Sequence, residues 1–210
     1  MAMNKFIILV FLAVGFSSCI TINMHKAVRM PIEKQGKYKP EDISFDKKDI
    51  LNYINKIPKI YLLDKEILKS IVNNSSKEYF LIIGYNSWCA SSTNILFSDI
   101  LPKYGKKGNT QLILVCIDDW MYKKQTLEYL KMNNYKYPSF MLDMHKYGNG
   151  FNLHNKFIAF AKDLSPSSKL DIGLNAYLLI DKNLNIISEG IYSVDETVKI
   201  NSIIDLETKL

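Results

Sequence analysis

Two apolar runs of strand length constrain the fold of this chain more than any other feature. They are Tyr79–Tyr85 (YFLIIGY) and Gln111–Ile117 (QLILVCI). Runs of this kind are typical of strands that are buried on both faces, which requires helices on both sides of a sheet. Between them, Phe97, Ile100 and Leu101 recur at helical spacing. The sequence therefore predicts strand, helix and strand in alternation.

Further elements continue this alternation along the chain. Additional strands are predicted at Lys59–Leu63, Tyr137–Asp143, Ala176–Asp181 and Ile186–Gly190, and additional helices at Asp46–Lys56, Asp64–Asn73, Tyr122–Asn134 and Lys156–Ala161. The last two strands flank a turn and predict a hairpin. Ser193 and Glu196 form a capping box, which predicts a final helix. This order predicts an α/β fold, a three-layer α/β/α sandwich with a mixed central sheet.

The first residues have the layout of an export signal. Lys5 precedes the eleven-residue apolar run Phe6–Phe16, and Ser17-Ser18 comes directly before Cys19. The run is much shorter than the roughly 20 residues that a membrane-spanning helix needs, so it predicts a signal peptide. Its end resembles the lipobox of bacterial lipoproteins, whose cysteine is lipidated and becomes the new N-terminus, although Phe16 replaces the usual aliphatic residue. An ordinary secretory signal is the alternative, and both export the chain.

These patterns divide the chain into a signal, a tether and a domain. We predict a signal peptide at 1–18 and a lipid anchor and tether at 19–45, because Ile20–Pro40 has no sustained period and contains Pro31 and Gly36. The domain is predicted at 46–210, with an insertion at 144–171. The expected location is the bacterial cell envelope, with the lipid on Cys19 in a membrane and the domain outside the cytoplasm.

Charge and composition argue against several classes of ligand. The chain has 27 basic and 21 acidic residues and a net charge of +6, but its basic pairs are scattered among acidic residues, so no nucleic-acid partner is predicted. Three cysteines do not form a disulfide framework. His145 and His154 lack the spacing of a local metal site. No metal and no cofactor are predicted.

Cys89 is the residue with the clearest chemistry. It follows one predicted strand and precedes a predicted helix, so we expect it at or near a helix N-terminus. There, unpaired backbone N–H groups and the helix dipole stabilise a thiolate, a nucleophile for disulfides. Trp88 either shields the thiolate and contacts a partner or packs at the rim. Ser92 either donates a hydrogen bond to the sulfur or caps and packs in the first helical turns.

Several segments, taken in order, resemble the thioredoxin-like superfamily, in particular the envelope-anchored proteins related to TlpA and ResA. The matching segments are Trp88–Ser92 after the strand Leu81–Tyr85, Ile117–Asp119, Tyr137–Asp143 and Tyr177–Asn183. The resemblance covers roughly residues 59 to 210. It implies a thioredoxin-like fold, thiol-disulfide exchange at Cys89, and partners among exported proteins that carry thiols or disulfides.

Two residues depart from the family pattern. Ser92 stands where the family has the second cysteine of its CxxC motif, so this CxxS chain cannot cycle as an intramolecular dithiol. Asn175 takes the place of a cis-proline that lies against the nucleophile in the family. A cis bond before a residue other than proline costs about 2.5 to 4 kcal/mol, so we expect a trans bond and a remodelled substrate groove.

The sequence leaves two functions open. In the first, Cys89 forms mixed disulfides that another thiol resolves, which gives an isomerase-like or reductase-like activity. In the second, the chain is a non-catalytic binding or scaffold module and Cys89 has no reactive role. Cys116 is expected to pack in the core and not to act as a second thiol. Asp118 and Asp119 follow the same strand, and a carboxylate close to Cys89 would raise its pKa.

Overall fold

A computed structural model describes residues 31–43, 57–87, 96–101, 108–148, 153–171 and 175–192 of the chain. The elements in these ranges are α1 (Ile32–Gln35), β1 (Ile60–Leu63), α2 (Lys65–Asn73), β2 (Tyr79–Tyr85), a π-helical turn (Leu96–Ile100), β3 (Thr110–Cys116), α3 (Lys123–Met132), β4 (Ser139–Leu142), α4 (Met144–Tyr147), α5 (Leu153–Leu164), β5 (Ala176–Asp181) and β6 (Ile186–Ile191). Short 3-10 helices, Gly36–Tyr38 and Trp120–Tyr122, follow α1 and precede α3.

The described strands form one mixed sheet of six strands in the order β1-β4-β3-β2-β5-β6. The first four strands of this order run parallel, and β5 pairs antiparallel with β2 and with β6. In the register, Tyr85 lies beside Cys116 and Ile83 lies opposite Tyr177. The carboxyl ends of the parallel strands and the amino end of β5 therefore meet at one edge of the sheet.

Apolar side chains project from both faces of the sheet, and helices cover each face. Alternate residues of β2 face opposite sides. On one side, Phe80 and Ile82 pack with residues of α2 and α5. On the other side, Leu81 and Ile83 pack with the π-helical turn and with Leu130 of α3. The predicted three-layer α/β/α sandwich with a mixed sheet is confirmed.

The predicted strands, and the predicted helices that lie within the described residues, are found close to their expected bounds. Asp64 caps α2 as expected, since its carboxylate accepts the backbone N–H of Ile67 at 2.7 Å. The strand predicted at Tyr137–Asp143 is shorter, because pairing starts only after Pro138, which has no backbone N–H. The predicted insertion holds α4 and α5, and α5 buries Phe157 and Phe160 against the sheet.

Part of the predicted tether packs on the domain. Glu41 lies along β1, donating its backbone N–H to Ile60 and accepting that of Leu62, both at 2.9 Å. Gln35 is fully buried and accepts the backbone N–H of Met121 at 3.1 Å. An edge strand leaves backbone groups unpaired, and this segment supplies partners for β1. The compact unit that contains the sheet begins at Ile32.

Several predictions fall outside the described ranges. They concern the signal peptide, the lipidation site Cys19, the helix at Asp46–Lys56 and the final helix after Ser193. Within the described ranges, no helix combines the length and the hydropathy needed to cross a bilayer.

Gly84 in the central strand offers a test of the packing between sheet and α5. A Cβ at this position would lie 3.0 Å from Cδ2 of the Phe157 ring, so Gly84→Ala should lower the free energy of unfolding by about 1 to 3 kcal/mol. Chemical denaturation measures the change. Gly36→Ala is the matched control, because its Cβ would meet nothing within 4 Å. If Gly84→Ala lowered the free energy of unfolding as much in a Phe157→Leu background as in the wild type, contact with the Phe157 ring would not be the cause.

Candidate functional site

Polar residues gather where the central strands end. Asn86 and Ser87 follow β2, Asp118 and Asp119 follow β3, and all four are buried. Ligand sites in α/β sheets lie outside the carboxyl ends of parallel strands, so this edge is the candidate site. Trp88, Cys89 and Ser92, the residues predicted from the sequence, lie outside the described residues. Ser87 is the last described residue before them.

Ser87 is held by Asp118 through two hydrogen bonds. Its backbone N–H and its hydroxyl donate to Oδ2 of Asp118, at 2.8 and 2.6 Å. The register of the parallel strands brings the two residues together, because the backbone N–H of Ile117 donates to the carbonyl of Tyr85 at 2.9 Å. Hydrogen bonds to a buried carboxylate are among the stronger ones in proteins. Asp118 thus fixes the backbone two residues before Cys89.

The carboxylate of Asp118 also contacts Cys116, whose thiol is buried. Its S–H donates to Oδ2 of Asp118, with the sulfur 3.3 Å from the oxygen, and its side chain is fully buried. Burial raises the pKa of Cys116 well above its usual value, and the charge of Asp118 raises it further. The expected core position of Cys116 is confirmed. The protonated form is the stable one, which opposes a role as nucleophile.

Asp119, the second acidic residue at this edge, pairs with a cation. Nζ of Lys156 on α5 lies 2.7 Å from Oδ1 of Asp119, and each side chain is only 1% exposed. An opposite charge at this distance offsets the field of the carboxylate. Of the two acidic residues that we considered as neighbours of Cys89, Asp118 contacts Ser87 and Asp119 is neutralised by Lys156.

Trp120 and His145 lie along the same edge. Trp120 is buried and donates its indole N–H to the carbonyl of Leu142 at 3.1 Å. The ring of His145 packs edge-on against it, with 5.4 Å between the centroids. Asp143 accepts the backbone N–H of His145 at 2.9 Å and caps α4. These contacts position loops around the site, and the side chain of His154 lies outside the described residues.

Asn175 is the last residue before β5 and lies at the same edge of the sheet. The pairing of β2 with β5 ends at Ile83 and Tyr177, and Asn175 lies two residues before Tyr177, near the end of β2. Its φ is 51°, in the left-handed region, which asparagine tolerates and which proline, with φ near −65°, cannot adopt. Its carbonyl accepts the backbone N–H of Tyr192 at 2.6 Å. The backbone here therefore cannot be that of a proline. The peptide bond before Asn175 involves Leu174 and lies outside the described residues.

Sequence reasoning missed three residues of this edge. Asn86 is 1% exposed, and neither of its amide atoms has a hydrogen-bond partner among the described residues. Ser87 and Asn86 could have been noted for their position between a buried strand and Cys89. Lys156 gave no signal, because a lysine in an amphipathic helix ordinarily points to solvent.

Comparisons with known proteins give structural neighbours only. No protein-family model matches the chain, and no curated protein matches it. A thiol-disulfide oxidoreductase from Bacteroides fragilis NCTC 9343 is 16% identical with a TM-score of 0.38, over 60% of this chain and 81% of the other. A thiol:disulfide interchange protein of the thioredoxin family from Chlorobium tepidum TLS is 15% identical with a TM-score of 0.38, over 59% of this chain and 79% of the other.

Removing the Ser87 hydroxyl tests the contact with Asp118. Ser87→Ala removes one hydrogen-bond donor from the buried carboxylate of Asp118, so the free energy of unfolding should fall by about 1 to 3 kcal/mol. Urea denaturation measures this loss. Ser167→Ala, which removes an exposed hydroxyl that lies 2.9 Å from the hydroxyl of Ser165, should cost less than about 0.5 kcal/mol. Equal effects of the two substitutions would show that Asp118 does not depend on Ser87.

The environment of Cys116 predicts an unreactive thiol. Because burial and Asp118 both raise its pKa, alkylation of Cys116 at pH 8 should be more than about tenfold slower in the folded chain than in urea. Mass spectrometry of the peptide that carries Cys116, after a short pulse of iodoacetamide, gives both rates. Similar rates in the folded and the unfolded chain would contradict its burial.

Proposed function

We propose that this chain is a thioredoxin-like, envelope-anchored protein that exchanges thiols and disulfides through Cys89. The observation that carries the proposal is the Ser87–Asp118 contact, which fixes the chain two residues before Cys89 at the carboxyl end of the central strand. Two peptide units keep the Cα of Cys89 within about 7 Å of that of Ser87. Strand ends of this kind are where α/β proteins place reactive groups.

The proposed chemistry uses one thiol. The Cys89 thiolate attacks one sulfur of a substrate disulfide, forms a mixed disulfide with it and expels the other sulfur as a thiolate, which takes up a proton. Ser92 cannot attack the mixed disulfide, because its hydroxyl stays protonated near neutral pH. Release therefore needs a second thiol. Attack by a cysteine of the substrate gives isomerisation, and attack by an outside thiol leads to reduction.

Three features of the described residues support this proposal. Asp119 is neutralised by Lys156, so its charge does not oppose a thiolate at this edge. Cys116 is buried and protonated, which leaves the thiol chemistry to Cys89. The left-handed backbone at Asn175 gives the groove a different shape from one lined by a proline. This favours a substrate range unlike that of a dithiol reductase.

The proposed setting is the bacterial cell envelope. A lipid on Cys19 would hold the domain at a membrane surface outside the cytoplasm, and exported proteins with thiols or disulfides would be its partners. An oxidising compartment is where disulfides form and need rearrangement. A thiol held at the membrane surface would meet such proteins there, which favours an isomerase-like role.

Trapping mixed disulfides in intact cells tests the proposal. Acid quenching and alkylation of cells that express the chain should preserve adducts that disappear on reduction, because no second thiol at residue 92 resolves them. Cys89→Ser should abolish these adducts. Cys116→Ser is the matched control and should leave them unchanged, since that thiol is buried. Adducts that persist in Cys89→Ser, or a Cys89 pKa at the free value of about 8.5, would favour the non-catalytic binding module.

A further inference from the structure

Lys156 is a buried cation that the proposed thiol chemistry does not use. It lies on α5 between the sheet and solvent, yet its side chain is only 1% exposed. In every other ion pair that joins described residues, each side chain is at least 30% exposed. A buried ion pair gains little stability over packed apolar side chains, because both charges lose their hydration. Stability alone therefore does not explain this pair.

The ion pair fixes Asp119, and the preceding residue, Asp118, binds Ser87. Asp119 directly follows Asp118, and its backbone is extended, with φ of −70° and ψ of 152°. Consecutive side chains of an extended chain point to opposite sides. Asp118 accordingly meets Ser87 on one side, and Asp119 meets Lys156 on the other. Helix α5 and the chain before Cys89 are therefore joined through two adjacent carboxylates.

We propose that Lys156 is a positioning residue for the Cys89 segment. By fixing Asp119 it fixes Asp118, whose carboxylate holds the backbone N–H and the hydroxyl of Ser87. Without the cation, the buried carboxylate of Asp119 loses this counter-charge and turns toward water. Asp118 moves with it, and the segment that begins at Ser87 loses its anchor. This inference rests on the proposed reactivity of Cys89 and adds a residue 67 positions further along the chain that controls it.

Alkylation of Cys89 in the full chain tests this inference. A pulse of iodoacetamide at pH 7, read by mass spectrometry of the Cys89 peptide, gives the rate in the folded chain relative to the chain in urea. We expect this ratio to be about ten or more in the wild type and at least about threefold lower in Lys156→Met. Lys162→Met, which removes an exposed lysine of the same helix, should leave the ratio unchanged.

A double variant separates positioning from stability. Lys156→Met/Asp119→Leu removes both charges and keeps the core filled, so its melting temperature should recover toward that of the wild type. The Cys89 ratio should stay low, because apolar side chains do not orient Asp118. Recovery of the Cys89 ratio together with the melting temperature would overturn the inference and leave Lys156 a purely structural role.

The wild type and the single variant distinguish the two proposals. A wild-type Cys89 that reacts no faster in the folded chain than in urea contradicts the proposed function, and the inference falls with it. A wild-type Cys89 that reacts fast, with an unchanged ratio in Lys156→Met, contradicts the positioning role alone. In that case the thiol chemistry of Cys89 stands and α5 does not control it.

Discussion

The parallel pairing of β2 with β3 is the contact on which the rest of the structure depends. These two strands are buried on both faces, and their register sets which residues meet beyond their carboxyl ends. A shift of one strand by one residue would turn its apolar side chains to the opposite face and separate Ser87 from Asp118. The packing of the core and the geometry of the candidate site are therefore set by the same hydrogen bonds.

Two adjacent carboxylates make this edge unusual. Asp118 accepts hydrogen bonds from Ser87 and Cys116, and Asp119 forms an ion pair with Lys156 of α5. Buried carboxylates are costly unless they are paired or hydrogen-bonded. Their partners come from β2, β3 and α5, so the edge forms only when these three elements are in place. The hydrogen bonds of the two carboxylates therefore form only in the folded domain.

The sequence predicts the fold well, because long buried strands and helical periods are local patterns. The strands at residues 79–85 and 111–117 and the cap at Asp64 follow from such patterns. The Asp119–Lys156 pair joins residues 37 positions apart, and no local pattern encodes a contact of that separation. The packing of residues 31–43 was missed for the same reason, since the edge of β1 that attracts them exists only in the assembled sheet.

The segment that pairs with β1 affects how the domain can be isolated. A fragment that starts at residue 46, the boundary that periodicity indicates, lacks Glu41 and exposes the backbone of β1. It also leaves the backbone N–H of Met121 without the buried Gln35 amide that now accepts it. Such a fragment is prone to edge-to-edge aggregation, whereas one that begins before Pro31 retains its own cover for that strand.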